Sequence, residues 1–217
     1  MKIEYGLHFQ VIQIMKKFIF SLFILFPLLF LSQNSNTPKY SNEFLNIGVD
    51  AKSIGMGNAV VSSTDDVNAT YWNPAGLINI EREEISLMHS NYFANIANYN
   101  YMSYAKKIDS ESAIGLSLIR FGVDDIMDTT QLIDSQGNID YNRIELFSAA
   151  DYAFIFSYAK KNKFLNLNFG VNAKIIRRII GDFANSWGFG FDFGIQYESE
   201  NKWKFGLMAR DITTTYN

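Results

Sequence analysis

The chain has 217 residues and a formal net charge of −3, and it carries no basic patch large enough to hold nucleic acid. It contains no cysteine, which excludes disulfides, thiolate metal sites and a cysteine nucleophile. Aromatic residues reach 16% while charged residues stay at 19%, below the roughly 25% of soluble domains, a balance that suits a lipid-facing outside and an uncharged polar inside.

Met15-Lys16-Lys17 forms a short cationic start, followed by an apolar run over 18–31 broken only by Ser21 and Pro27. Ser32-Gln33 then gives a polar exit. Charge, run length and exit together define a Sec-type export signal over residues 1–33, in which 1–14 read as upstream sequence and Met15 as the natural start. The run is shorter than the about 20 residues a spanning helix needs. Cleavage of the signal and retention as an uncleaved anchor both stay open.

Residues 34–82 form a second segment, rich in small residues and without the regular alternation of the chain beyond residue 82. Pro74 suits the first turn of a short helix, and Gly76 its end. Gly55-Met56-Gly57 lacks the third glycine of a dinucleotide loop and has no βαβ setting. The physical alternative is glycine where backbone packs closely on backbone, as in a plug inside a lumen.

From residue 83 to 217 the pattern changes to a period of two, the signature of strands with one apolar face. Trp187, Phe189, Phe191, Phe193, Ile195 and Tyr197 alternate with small or polar residues, and Leu165, Leu167, Phe169, Val171, Ala173 and Ile175 alternate with asparagines and Lys174. Both runs have the length a tilted strand needs to cross a membrane. Further strands are expected around Ile114–Leu118, 152–158 and 203–209, with less regular ones at 83–92 and 98–107, seven in all. Tight charged turns are expected at 106–111, 160–163 and 198–202, and wider connections at 93–97, 122–149 and 177–186. Short turns on one edge and long loops on the other are the asymmetry of outer-membrane barrels. Tyr92, Tyr99, Tyr152, Tyr158, Trp187, Tyr197 and Trp203 stand near strand ends, where aromatic girdles would lie.

A soluble antiparallel sandwich would explain the alternation, but not the loop asymmetry, the aromatic ends and the export signal together. The fold class expected is all-β: an antiparallel transmembrane β-barrel, partial at about seven strands, with a small helical N-terminal plug. Seven strands leave two open edges, which lipid cannot satisfy. Either more strands follow Asn217 or the sheet closes by association.

Little catalytic chemistry is legible. His89 is the one histidine after the signal and reads as a lumen or interface residue. Ser86 and Ser90 lack a triad acid. Asp124, Asp125 and Asp128, placed in a long loop, lack the spacing of a calcium loop and read as solvated surface. Lys106-Lys107, Lys160-Lys161 and Arg177-Arg178 read as anchors at the headgroup level. The expectation is no enzyme, no cofactor and no metal, with outer-membrane lipid as a partner.

Ile47-Gly48-Val49-Asp50-Ala51-Lys52-Ser53-Ile54-Gly55-Met56-Gly57-Asn58-Ala59 and Trp72-Asn73-Pro74-Ala75-Gly76-Leu77 resemble the opening of the PorV/PorQ family, and Asp65-Asp66 sits where that pattern places it. The resemblance covers roughly residues 42–217 and is sharpest over 44–77. It implies membership in the wider group of barrels resembling FadL, about fourteen strands, a plug in the lumen and a Bacteroidetes outer membrane. It further implies a part in type IX protein secretion, with secretion components and exported cargo as partners. The alternative it carries is a FadL-like channel for hydrophobic small molecules. Gly55, Gly57, Asn58, Asn73, Pro74, Ala75 and Gly76 are the plug-motif positions expected to act structurally or in gating.

Overall fold

The computed structural model describes residues 42–134 and 136–212. The export-signal reading therefore lies outside the described residues. A helical segment comes first: a 3-10 turn at Glu43–Asn46, helix α1 at Ala51–Gly55, helix α2 at Ala69–Trp72 and a second 3-10 turn at Pro74–Asn79. Asp50 starts α1 by accepting the backbone N–H groups of Lys52 and Ser53, donors that would otherwise lack partners. Asn73 does the same for Ala75, and Pro74 follows it at the first turn, where its missing N–H costs nothing.

Seven strands follow: β1 Glu84–Tyr92, β2 Ala97–Lys107, β3 Ser112–Asp128, β4 Glu145–Asn162, β5 Leu167–Ile180, β6 Ala184–Glu198 and β7 Lys204–Ala209. They form one antiparallel sheet in sequence order, each strand hydrogen-bonded to its chain neighbours. The antiparallel all-β meander expected from the period of two is the architecture observed, and the short helical segment expected ahead of it packs on its inner face. No helix among the described residues is long and apolar enough to cross a membrane.

The inner face of the sheet wraps the helical segment in two layers. The upper one packs Phe44, Leu45, Val49, Tyr71 and Trp72 against Tyr99, Tyr101, Ile119, Ile155 and Ile176 of the wall. The lower one packs Val67, Leu77, Ile78 and Ile80 against Ala105, Ala113 and Ala159. Alanines line the wall there because the plug itself fills the space. On the outer face, β6 exposes Trp187, Phe189 and Phe191, and β4 exposes Phe154, Phe156 and Tyr158. At about 3.3 Å per residue and about 40° of tilt, the outward run from Trp187 to Tyr197 spans about 25 Å, the height of a barrel's apolar band.

Several expectations from sequence need correction. The wide connection placed at 122–149 is narrower than expected, spanning 129–144, because β3 runs to Asp128 and β4 begins at Glu145. The one placed at 177–186 shrinks to a tight turn between Ile180 and Ala184. Conversely, Leu165 and Asn166 belong to a turn. Alternation fades where a strand leaves the lipid, because both faces then meet similar surroundings, yet the backbone ladder continues. The asymmetry between edges consequently rests on the 129–144 connection alone. Asp124 and Asp125 lie in a β-bulge between Val123 and Ile126, with Asp125 at φ 58°, and not in a loop. Tyr99 is fully buried on the inner face, packed against Tyr92 and Phe121, so these tyrosines are core and not girdle. Arg178 points inward and grips Asp151 through two bonds of 2.6 and 2.8 Å, so it is no headgroup anchor.

Candidate functional site

The contact between plug and wall is polar where α2 meets the sheet. Thr70 Oγ1 donates to the Val67 carbonyl at 3.0 Å and lies 3.2 Å from the Tyr101 hydroxyl and 3.0 Å from Ser103 Oγ. Ser117 Oγ completes the cluster at 2.6 Å from Thr70 and 2.8 Å from Ser103. Asn172 Nδ2 donates to the Thr70 carbonyl at 3.0 Å and to Asp192 at 3.1 Å, while Ser157 donates to Asn172 Oδ1 at 2.7 Å. Asp192 in turn faces Lys174 Nζ at 2.7 Å, and Asp211 approaches the same ammonium at 2.6 Å. A buried charge flanked by two carboxylates is thus one step from the plug backbone.

The upper plug is clamped by rings. Tyr71 accepts from the Gly48 backbone N–H at 3.1 Å and donates to the Leu45 carbonyl, and Trp72 Nε1 donates to the Val49 carbonyl at 3.1 Å. Arg210 stacks over Tyr71 at 5.0 Å and Trp72 at 5.5 Å and donates to the Tyr71 carbonyl.

The plug-motif positions split into two groups. Asn73, Pro74, Ala75 and Gly76 lie together at the lower wall, all buried. Asn73 Nδ2 donates to the carbonyls of Val61 at 2.8 Å and Ile195 at 3.1 Å, joining plug loop, plug turn and β6. A Cβ on Gly76 would sit 2.3 Å from the Thr64 carbonyl oxygen, so close backbone approach holds there. Gly55, Gly57 and Asn58 behave differently. A Cβ on Gly55 or Gly57 would meet nothing within 4 Å, which corrects the expectation of tight packing at this pair. Gly57 and Asn58 have φ of 64° and 65°, a left-handed exit from α1 that glycine and asparagine tolerate.

The wall glycines are the part the sequence did not single out. A Cβ on Gly170 would fall 2.2 Å from the Ala75 nitrogen and 2.3 Å from the Pro74 carbonyl carbon. On Gly194 it would fall 2.0 Å from Asn73 Oδ1. Their place on the small-residue face of an alternating strand was visible. That a helix turn would press against them was not.

At the upper edge the described residues of the 129–144 connection form a small hairpin. Ile133 bridges to Ile139, and Asp140 donates its backbone N–H to the Leu132 carbonyl at 2.9 Å. The Asp134 carboxylate accepts the backbone N–H groups of Gln136 and Asn138, both at 2.8 Å. The Asn138 N–H, aided by the Asn138 side chain, holds this carboxyl below its ordinary range. A depressed folded-state value stabilises above the unfolded pKa and ceases to do so as pH falls through the folded one. Amide resonances of Gln136 and Asn138 are therefore expected to move toward random-coil positions below about pH 4, and Asp134→Asn should flatten that profile. An unchanged profile in the variant would show that the carboxylate does not hold the turn.

A meander curled around its own plug, with an aromatic outer band of bilayer height, defines a β-barrel-type outer-membrane protein. The family model for the type IX secretion system protein PorV matches residues 31–209. The chain belongs to that family, and family and fold together point to the outer membrane and to type IX secretion. No curated protein matches the chain.

Proposed function

We propose that the chain is a non-enzymatic component of type IX secretion that binds exported partner proteins through its extracellular edge, with lipid covering the outward aromatic band. The observation that carries this reading is the hairpin on β3 and β4. From Tyr152 to Glu145, β4 continues for about 23 Å along the strand above the apolar band. The hairpin it carries exposes Ile133, Ile139 and Tyr141 to solvent. Large apolar side chains held out on such a hairpin are the mark of a protein-binding surface.

In this reading the plug motif is structural. Asn73, Pro74, Ala75 and Gly76 seat the plug on the wall, while Gly57 and Asn58 turn the chain out of α1. Family membership favours secretion over a channel for hydrophobic small molecules.

Replacing residues 131–140 with a short Gly-Ser turn tests the proposal. The protein should still insert, whereas exported partners should cease to copurify and their surface levels should fall at least tenfold. Retention of both partner binding and export by the shortened protein would refute it.

A further inference from the structure

The lower mouth, where plug meets wall, holds a polar pocket with groups that the fold does not use. The register places Lys161, Asn168 and Gln196 in one inward row across β4, β5 and β6, and it sets Glu198 opposite Lys204 one step lower. The row ends at Gly206 on β7. A Cβ there would fall 2.5 Å from the Val61 carbonyl oxygen and 2.6 Å from Ser62 Cα, so the plug lies directly on the wall. Beside this contact, Ser62 and Asn79 of the plug face the row across a cavity of about 90 Å³. At about 10–15 Å³ for each water held, that is room for several waters or a short stretch of peptide, and far more than a lone ion needs.

The frame of the pocket is fixed. Gln196, only 5% exposed, donates to the carbonyls of Val61 at 3.1 Å and Thr64 at 3.0 Å and so pins the plug loop in place. The β4–β5 turn at the rim is held by Asn162, whose side chain accepts the backbone N–H groups of Phe164 at 3.0 Å and Leu165 at 3.2 Å. Asn166 ties the same turn to β6 by donating to the Glu198 carbonyl at 3.4 Å. Lys204 faces Asp65 of the plug at 3.8 Å. A frame held in this way loses little freedom when a ligand enters.

Other groups in the pocket are unspent. Among the described residues, the Lys161 ammonium, the Asn168 amide and the Glu198 carboxylate neither hydrogen-bond nor ion-pair with another group. Lys161 and Glu198 stand two strands apart, about 10 Å between backbones at about 4.8 Å per strand, and face one cavity without neutralising each other. Two separated charges of opposite sign match a ligand with a carboxylate at one end and an ammonium at the other. Phosphate or a polyanion would meet the lysine but would be repelled by Glu198 and Asp65. Asn168, on the strand between the two charges, offers both a donor and an acceptor, as a peptide group requires.

We propose that this pocket binds a short dipolar peptide, its carboxylate on Lys161, its ammonium on Glu198 and a peptide group on Asn168. Stem peptides of the cell wall and free periplasmic oligopeptides share that chemistry. The pocket lies on the edge opposite the 129–144 hairpin, so the inference does not rest on the partner-binding reading.

Calorimetric titration of the full chain in detergent micelles tests it. Tri-alanine and L-alanyl-γ-D-glutamyl-meso-diaminopimelate are the probes, and at least one should bind with a Kd below about 1 mM. Acetylating the amine or amidating the carboxylates of the tighter probe should weaken it at least tenfold, a result that needs no variant. Lys161→Met and Glu198→Gln, whose side chains have no internal partner, should keep the parent's unfolding midpoint and each weaken the free peptide at least tenfold. Each should also erase discrimination at one end. Lys161→Met should bind the amidated peptide as well as the free acid, and Glu198→Gln the acetylated peptide as well as the free amine. A stem tripeptide at least tenfold tighter than tri-alanine assigns the cell wall as the source, and any smaller ratio assigns free peptides. Failure of both probes to bind, equal binding of the blocked forms, displacement of the peptide by equimolar phosphate, or variants that bind like the parent would each overturn the proposal. None of these results bears on export, which the hairpin replacement reports separately.

Discussion

Adding one methyl group at Gly170 is expected to force the plug off the barrel wall. The new Cβ would lie 2.2 Å from the Ala75 nitrogen and 2.3 Å from the Pro74 carbonyl carbon, and both are backbone atoms that no rotamer change can move. The contact is relieved only by shifting the 3-10 turn at Pro74–Asn79. That turn is held through Asn73, whose amide bonds Val61 and the β6 carbonyl of Ile195. Overpacking a close-fitted interface costs about 1–3 kcal/mol, and we expect the upper end of that range. Gly194→Ala should act at the same seat, because its Cβ would fall 2.0 Å from Asn73 Oδ1. Gly55→Ala supplies the contrast: nothing lies within 4 Å of its Cβ and its helical backbone accepts alanine, so it should be neutral or slightly stabilising. Urea unfolding gives the energies, and limited proteolysis reports whether residues 60–80 become accessible. If Gly170→Ala unfolds at the same urea concentration as Gly55→Ala and resists protease equally, the seat is not where the structure puts it.

That contrast also shows which information the sequence carried. The sheet was legible because lipid imposes a strict rule on one face: β6 could be read from Trp187 to Tyr197 by alternation alone. Strand ends above the lipid were not legible, since β3 and β4 continue through Asp124, Asp125 and Ala150 without alternation. The lumen was half legible. Asparagine and lysine on β5 marked a polar inner face, but the partners of Asn172 and Lys174 come from α2, β6 and Asp211, far away in the chain. Arg210 and Thr70 gave no signal, because neither belongs to a periodic pattern and each acts through contacts that only the closed fold creates. Gly55 and Gly57 misled for a related reason. A glycine pair looks the same in sequence whether it serves close packing, as Gly76 does, or a left-handed turn, as Gly57 does.

The largest single effect is expected at Lys174. Its ammonium has a side-chain exposure of only 3% and lies between Asp192, at 4%, and the half-buried Asp211. Removing one partner of a buried ion pair strands the other charge, a loss of about 3–5 kcal/mol. Lys174→Met keeps the length of the side chain and should therefore report charge and not volume. Its effect should reach the plug, because Asp192 also accepts from Asn172, and Asn172 holds the Thr70 carbonyl. Asp192→Asn placed on top of Lys174→Met removes the stranded charge and should recover most of the loss, since a neutral amide can still meet Asn172 and the Asp211 backbone N–H. Asp211→Asn alone should cost less, because that carboxylate keeps partial contact with water. Unfolding midpoints of the single and double variants form a cycle whose coupling is expected to exceed about 2 kcal/mol. A Lys174→Met protein within about 1 kcal/mol of the parent would mean that water, and not the carboxylates, solvates the lysine. Such a result would require a wetter lumen beneath the plug than the packing of Thr70, Ser117 and Asn172 allows, and the ion pair would then no longer count among the contacts that keep the lumen closed.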